Sequence, residues 1–326
     1  MITAKQIVKK NLAKLFISLL ITLFLGGFIV QYTNFEKFLA TFQNIHWFYF
    51  LLSIGLFILY QYIRRLRFQL LINASCNQLH LLNTQCIHSA ARNILPIGLG
   101  EAAFVYLMKR FYRCSYHETT AAIIIAKMLD LLILLFLSTA FVVFLSATFQ
   151  KNIIIALFGL LLLLLISSAG IFLLLRIERN RRLKKKDFKN SFLSRNLTLL
   201  ASSIRTVIKK GMSYKLGVYS IAMITVMYFF YVSLFHTLGL NLKWHVTAIA
   251  YLVAGGIGLL PIKGLANIGT FEAPWFIVLT SFNLSTEKAA IASFGVHILL
   301  FVSVFISLII STSLLIISKN LHKPLQ

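Results

Sequence analysis

Apolar runs at about 15–31, 47–63, 121–145, 152–175, 216–238 and 289–317 each reach the length, about 20 residues, that a helix needs to cross a bilayer's hydrocarbon core. Two further apolar stretches, about 84–108 and about 245–283, are interrupted near their middles. The first interruption reads NILPIGLGE over residues 93–101, and the second reads GIGLLPIKGLANIGTFE over residues 256–272. Both carry Leu-Pro-Ile, both supply glycines, and both end on a glutamate. With 59% hydrophobic and 12% charged residues and a mean hydropathy of +0.86, the chain lacks the polar surface that a water-soluble domain needs. The expected fold is an all-α polytopic membrane protein with about six spanning helices and two re-entrant broken hairpins.

The formal net charge of +24 comes from 32 Lys and Arg against 8 Asp and Glu, a balance that in a soluble protein would point to nucleic acid. Here the basic residues cluster between apolar runs, at Lys5–Lys14, Arg64–Arg67, Lys109–Arg113, Arg176–Lys215 and Lys319–Lys323, as cytoplasmic loops do. The expected partner of these clusters is therefore anionic inner-leaflet lipid, and no nucleic acid is expected. The first run follows a basic start but has no small-x-small cleavage site, so it reads as a retained helix rather than a signal peptide. Cys76, Cys86 and Cys114 have no metal-ligand spacing and read as small apolar fillers.

The positive-inside rule places both termini on the cytoplasmic side, the expected location being a bacterial inner membrane. A single crossing at 84–108 would put one of its flanking basic clusters outside, which favours a hairpin that enters and leaves on the cytoplasmic side. The same count opens the second hairpin outward. Of the basic residues, only Lys37, Lys151, Lys243 and Lys288 then lie outside, while Arg92, Lys127 and Lys263 fall within apolar stretches.

Superposing the halves with an offset of about 165–168 residues lays Asn93-Ile-Leu-Pro-Ile on Gly258-Leu-Leu-Pro-Ile and Ala121-Ala-Ile on Ala289-Ala-Ile. The whole chain thus reads as one membrane domain, 1–326, with a first repeat at 47–145 and a second at 216–317. The second starts from the opposite face, the inverted arrangement found in many transporters. Chance similarity in Leu/Ile/Ala-rich sequence is the competing explanation. Between the repeats, the basic segment 176–215 ends in a pattern that puts Leu197, Leu200, Ile204 and Ile208 on one helical face, either an interfacial helix on the inner leaflet or a solvated linker.

Five of the acids sit in loops or at helix starts, whereas Asp130, Glu101 and Glu272 lie at membrane depth. A carboxylate there costs about 2.5–3.5 kcal/mol by insertion scales unless paired. Asp130 follows Lys127 by three residues, so the two can neutralise each other on one helix, or Asp130 can serve Arg92 or a substrate. Glu101 and Glu272 each follow a Gly-bearing break that exposes a half-helix N-terminus, where a carboxylate either caps the dipole or holds a cation, proton or amine. Arg92 precedes Pro96 and Lys263 follows Pro261, so each break has one cation and one carboxylate nearby. His297 reads either as a packing residue or as a ligand. No catalytic set, metal-ligand spacing or nucleotide loop is present, so no cofactor, no metal and no enzymatic activity are expected.

These residues give the chain a resemblance to the lysylphosphatidylglycerol synthase transmembrane family, flippase-like proteins that occur fused to aminoacyl-phosphatidylglycerol synthases and alone. The resemblance spans about 10–318 and is carried by RRLRFQLLI after the second run, by NILPIGLGE followed by KMLDLL, and by PIKGLANIGTFE before the last helix. It keeps Asn93, Pro96, Gly100 and Glu101 in the first break and Pro261, Gly269 and Glu272 in the second. Phe104 and Phe271 stand where the family pattern implies cations, a role that Arg92 and Lys263 are candidates to assume.

The resemblance implies translocation of a polar-headed phospholipid or lipid-linked molecule between leaflets, past a polar path lined by the two breaks. No aminoacyl-transferase domain follows Gln326, so lipid synthesis would fall to a separate lipid-modifying enzyme. An integral enzyme acting on a lipid-linked substrate, or a non-transporting subunit of such an enzyme, are the alternatives.

Overall fold

A computed structural model describes residues 15–72, 77–95, 98–145, 213–259 and 263–321. The expected span at 152–175, the segment 176–212, Cys76, Pro96 and Pro261 lie outside the described residues. Every element described is helical, as the hydropathy pattern requires of a chain that must satisfy its backbone inside lipid.

The helices are α1 (Leu15–Val30), α2 (Phe35–Gln43), α3 (Trp47–Leu71), α4 (Gln78–Ile94), α5 (Leu99–Tyr112), α6 (Tyr116–Leu145), α7 (Ser213–Thr237), α8 (Trp244–Leu259), α9 (Glu272–Ser281) and α10 (Thr286–Leu321). Among the described residues four of them, α3, α6, α7 and α10, are long and apolar enough to cross a membrane. A fifth crossing is added if α1 and α2, bent by 84°, are taken as one. Helix α2 was not expected from the sequence. Asn34 caps it by accepting a hydrogen bond from Lys37 N at 3.1 Å, and its N-terminal turn carries Glu36, which suits the helix dipole.

Each apolar stretch with an interruption becomes a pair of half-length helices. At 17 residues α4 is about 25 Å long and at 14 residues α5 is about 21 Å, both short of the roughly 30 Å hydrocarbon core. The pair folds back tightly. A Cβ on Gly100 would sit 2.6 Å from Arg92 Cα and 2.8 Å from Arg92 N, so only glycine lets the start of α5 press on the end of α4. Helices α8 and α9, 16 and 10 residues, also run back on each other, since His245 at the start of α8 lies 5.9 Å from Phe282, just past the end of α9. The order long helix, two half-helices, long helix therefore occurs twice, as α3–α6 and as α7–α10.

The chain divides into two compact units, one of Met1–Tyr62, Asn77–Phe104 and Thr225–Gln326, the other of Ile63–Cys76 and Val105–Ile224. In the first, α10 packs along α4 and α9, and Asn83 on α4 donates from Nδ2 to Ser311 Oγ at 3.2 Å and Thr312 Oγ1 at 2.8 Å. Lys37 of α2 and Glu287 at the start of α10 form an exposed ion pair at 2.9 Å. An exposed pair of this kind contributes little stability and serves mainly to orient α2.

The second unit corrects the reading of Arg64–Arg67 as a cytoplasmic loop. Helix α3 continues unbroken to Leu71, and Arg64, Arg65 and Arg67 are 4%, 3% and 3% exposed. The physical reason is a carboxylate on another helix. Arg67 grips Asp130 of α6 with both guanidinium nitrogens, Nη1 to Oδ1 and Nη2 to Oδ2 at 3.2 Å, and Nη1 also donates to Ser220 Oγ of α7 at 3.1 Å. A fork of this geometry offsets the cost of burying both charges. Spacing on one helix offered Lys127 for Asp130, with Arg92 or a substrate as the alternative; the structure adds Arg67, 63 positions away. Beside this pair Ala121 and Ile125 pack against Leu71, Ile124 and Leu129.

Two outcomes follow for thermal unfolding in detergent. Gly100→Ala should lose about 1–3 kcal/mol through backbone overpacking, while Gly258→Ala, on α8 with nothing within 4 Å, should be neutral or gain up to about 1 kcal/mol. Asp130→Ala should lose about 3–5 kcal/mol by stranding Arg67, and Arg67→Met combined with Asp130→Leu should recover most of it. Equal stability of Asp130→Ala and wild type would show that the fork does not hold α3 to α6.

Candidate functional site

The two interruptions meet inside the first unit. Helix α4 ends as Leu95 N bonds Ala91 O at 2.8 Å, and α5 begins as Ala102 N bonds Gly98 O at 3.1 Å, with Gly98 at φ +73°. The negative end of α4 thus carries Arg92, the positive end of α5 carries Glu101, and Gly100 brings the two ends together. Each charge suits its own dipole as well as the other. Arg92, half-buried, also hydrogen-bonds Tyr60 of α3 and lies in the field of Tyr231 of α7.

The second interruption is a knot of hydrogen bonds built on unusual backbone. Ala266, Asn267 and Gly269 have φ of +52°, +59° and +82°. For Ala266 this conformation costs about 1–2 kcal/mol, and strain of this kind collects at functional sites. Its compensation is local: Asn267 N bonds Gly264 O at 3.1 Å, Gly264 N bonds Thr270 Oγ1 at 3.2 Å, and Thr270 Oγ1 donates to Asn267 O at 3.0 Å. Helix α1 supplies the rest. At Thr22–Gly26 it widens into a π turn, and Thr22 Oγ1 accepts from Leu265 N at 2.7 Å. Gly269 meets that turn so closely that a Cβ would lie 2.8 Å from Gly26 N.

Glu272 is fully buried and has two partners. Its Oε2 accepts from Gly269 N at 2.7 Å, three residues earlier, the reach-back of a capping box. Its Oε1 lies 2.6 Å from His297 Nδ1 of α10. The capping reading of Glu272 is therefore seen, and His297 is its ligand. No hydrogen-bond partner among the described residues reaches His297 Nε2.

Two contacts join the interruptions tip to tip. Asn267 Nδ2 donates to Asn93 Oδ1 at 3.1 Å, and Lys263 Nζ donates to Arg92 O at 3.4 Å, so a cation covers a carbonyl at the end of α4. Asn93 is itself held by Nδ2 to Ser89 O at 2.9 Å. Arg92, Asn93, Gly100, Glu101, Lys263, Gly269, Glu272 and His297 all belong to this unit, whereas Lys127 and Asp130 belong to the other. Pro96 and Pro261 are outside the described residues.

Phe104 and Phe271, standing where cations were expected, each lie against a histidine. The Phe104 and His88 rings are 4.4 Å apart at 21°, and the Phe271 and His297 rings are 4.4 Å apart at 20°. His88, Tyr231 and Thr22 were not singled out from the sequence. The available signal was the polarity of α4: Gln85, His88, Ser89 and Arg92 recur at the spacing of one helical face within an otherwise apolar chain.

Chemically, the site brings together cations, carboxylates and amides, most of them buried or half-buried. Among the described residues no group of three His, Cys, Asp or Glu stands together to hold a metal. Cys86 and Cys114 are buried, consistent with packing.

Glu272→Ala should cost about 3–5 kcal/mol, since it strands both His297 and the Gly269 N–H at full burial, whereas Glu272→Gln should cost about 1–2 kcal/mol. Thermal melting in detergent checks this, and an Ala variant as stable as the Gln variant would remove the pair from the account.

The lysylphosphatidylglycerol synthase TM region family has a sequence profile that matches residues 12–307. No curated protein and no solved structure matches the chain. The match takes in α1, both interruptions, the buried Arg67–Asp130 fork and most of α10. This is a multi-pass membrane protein with a lipid-related role, and it belongs to the lysylphosphatidylglycerol synthase TM region family.

Proposed function

We propose that the protein moves a polar-headed lipid or lipid-linked molecule between the leaflets of a bacterial inner membrane, without catalysing a reaction itself. The observation that carries this reading is the tip-to-tip meeting of two helix interruptions in one apolar unit, with Arg92, Glu101, Lys263, Asn93 and Asn267 gathered around them. Broken helices are tolerated at membrane depth where protein or a polar path satisfies the freed backbone groups. Here a head group exchanges water for these side chains while its acyl tails stay in lipid.

The repeated order of elements supports two halves of opposite orientation, which rock against each other around the paired interruptions. Both termini face the cytoplasm, and the basic segments hold anionic inner-leaflet lipid. A separate lipid-modifying enzyme supplies or consumes the lipid. Glu272 positions the second interruption through Gly269 and His297, and the polar path runs past Arg92 and Glu101.

Proteoliposomes carrying head-group-labelled lipid test this by chemical quenching from outside. The wild type should expose inner-leaflet label on the assay timescale, and Arg92→Gln with Glu101→Gln should slow exposure roughly tenfold, the equivalent of about 1.4 kcal/mol. An unchanged rate in a correctly inserted double variant would reject the path. Cysteine labelling from opposite faces on the two sides of 84–108 would reject the hairpin orientation.

A further inference from the structure

One face of α4 carries polar groups that no described residue answers. Gln85 is 0% exposed, and neither its Nε2 nor its Oε1 has a hydrogen-bond partner among the described residues. Gln61 of α3, 1% exposed, donates from Nε2 to Ser89 Oγ at 2.7 Å, while its Oε1 likewise has no partner. Ser89 stands one turn after Gln85 on the same face of α4, so its bond to Gln61 brings the second amide to the face that carries the first. One further turn along lies Arg92, hydrogen-bonded to Tyr60, the neighbour of Gln61. The polar face thus runs toward the paired interruptions.

The unanswered set is mixed: two amide oxygens that accept and an amide nitrogen that donates. A phosphate brings acceptors alone and would leave both carbonyls stranded. An ammonium brings donors alone and would leave the Gln85 nitrogen stranded. A hydroxyl both donates and accepts, and adjacent hydroxyls match the spacing of a carboxamide. We propose that Gln85, Gln61 and Ser89 form a binding site for a polyhydroxylated, sugar-type head group, a proposal that rests on the reading of the chain as a lipid translocator.

The burial of these side chains means that the site is closed in this conformation. Buried amides without partners disfavour that closed state, and a hydroxylated head group removes the penalty when α3 and α4 part around it. The site therefore acts as a selector: lipids with sugar hydroxyls open it more readily than lipids without them.

The test uses the full-length protein in vesicles, with an acyl-labelled hexosyl diacylglycerol and an acyl-labelled phosphatidylcholine, each followed by albumin back-extraction. The hexosyl lipid should cross roughly tenfold faster, and Gln85→Met with Gln61→Met, which keep side-chain length and volume, should bring the ratio to near one without slowing phosphatidylcholine. Equal crossing of both lipids by the wild type would overturn the site and leave translocation standing. If neither lipid crosses, a rise in melting temperature with hexosyl lipid that Gln85→Met abolishes would uphold the site and remove translocation; no such rise would overturn the site as well. Methyl hexoside separates the sources: a rise with it but not with the hexosyl lipid would uphold hydroxyl recognition and assign it to a soluble sugar. A Gln85→Met protein that melts differently but keeps the wild-type lipid preference would overturn the proposal, showing an amide served by water.

Discussion

A helix that stops inside a hydrophobic unit leaves backbone donors and acceptors that lipid cannot satisfy, and the first unit is organised around answering them. Neither interruption is self-sufficient. The end of α4 takes Lys263 from the second interruption onto its Arg92 carbonyl, and the second interruption takes Asn93 from the first as acceptor for Asn267. Thr22 of α1 then accepts the Leu265 N–H, and Glu272 accepts that of Gly269. Because these solutions are mutual, neither hairpin can change shape without exposing a group on the other. That coupling is the physical basis on which a rocking motion would act on both at once.

The long helices were legible because their only requirement is apolar length. Residues 47–63, 121–145 and 289–317 fall within α3, α6 and α10, 216–238 overruns the end of α7 by one residue, and 15–31 matches α1 to within a residue. The interruptions were legible for a similar reason, since proline and glycine mark where a helix cannot continue. What could not be read were partners distant in sequence. One-dimensional spacing sees only the same helix, so it offered Lys127 to Asp130 and could not find Arg67, which reaches it from another helix. Arg67 looked solvated because its compensating carboxylate, Asp130, lies on another helix. Glu272 and His297 were noticed separately, and only the packing of α9 on α10 makes them a pair.

The replacement of expected cations by Phe104 and Phe271 has a structural counterpart in the two histidine stacks. In both interruptions a flat aromatic surface covers an imidazole at the same separation. Arg92 and Lys263 carry their charges at the tips themselves, while the flanks at Phe104 and Phe271 are aromatic.

The π turn of α1 gives this helix a register that cannot be shifted. A widened turn accommodates one residue more than a regular helix would over the same rise, and here that residue's worth of slack coincides with the seat of the second interruption at Thr22 and Gly26. Removing one residue between Thr22 and Gly26 would restore ordinary winding and turn one side of α1 by about 100° relative to the other. Either the seat or the lipid-facing surface would then be misplaced. The length of the first helix is in this sense a molecular gauge, set to the residue by a loop more than two hundred positions downstream.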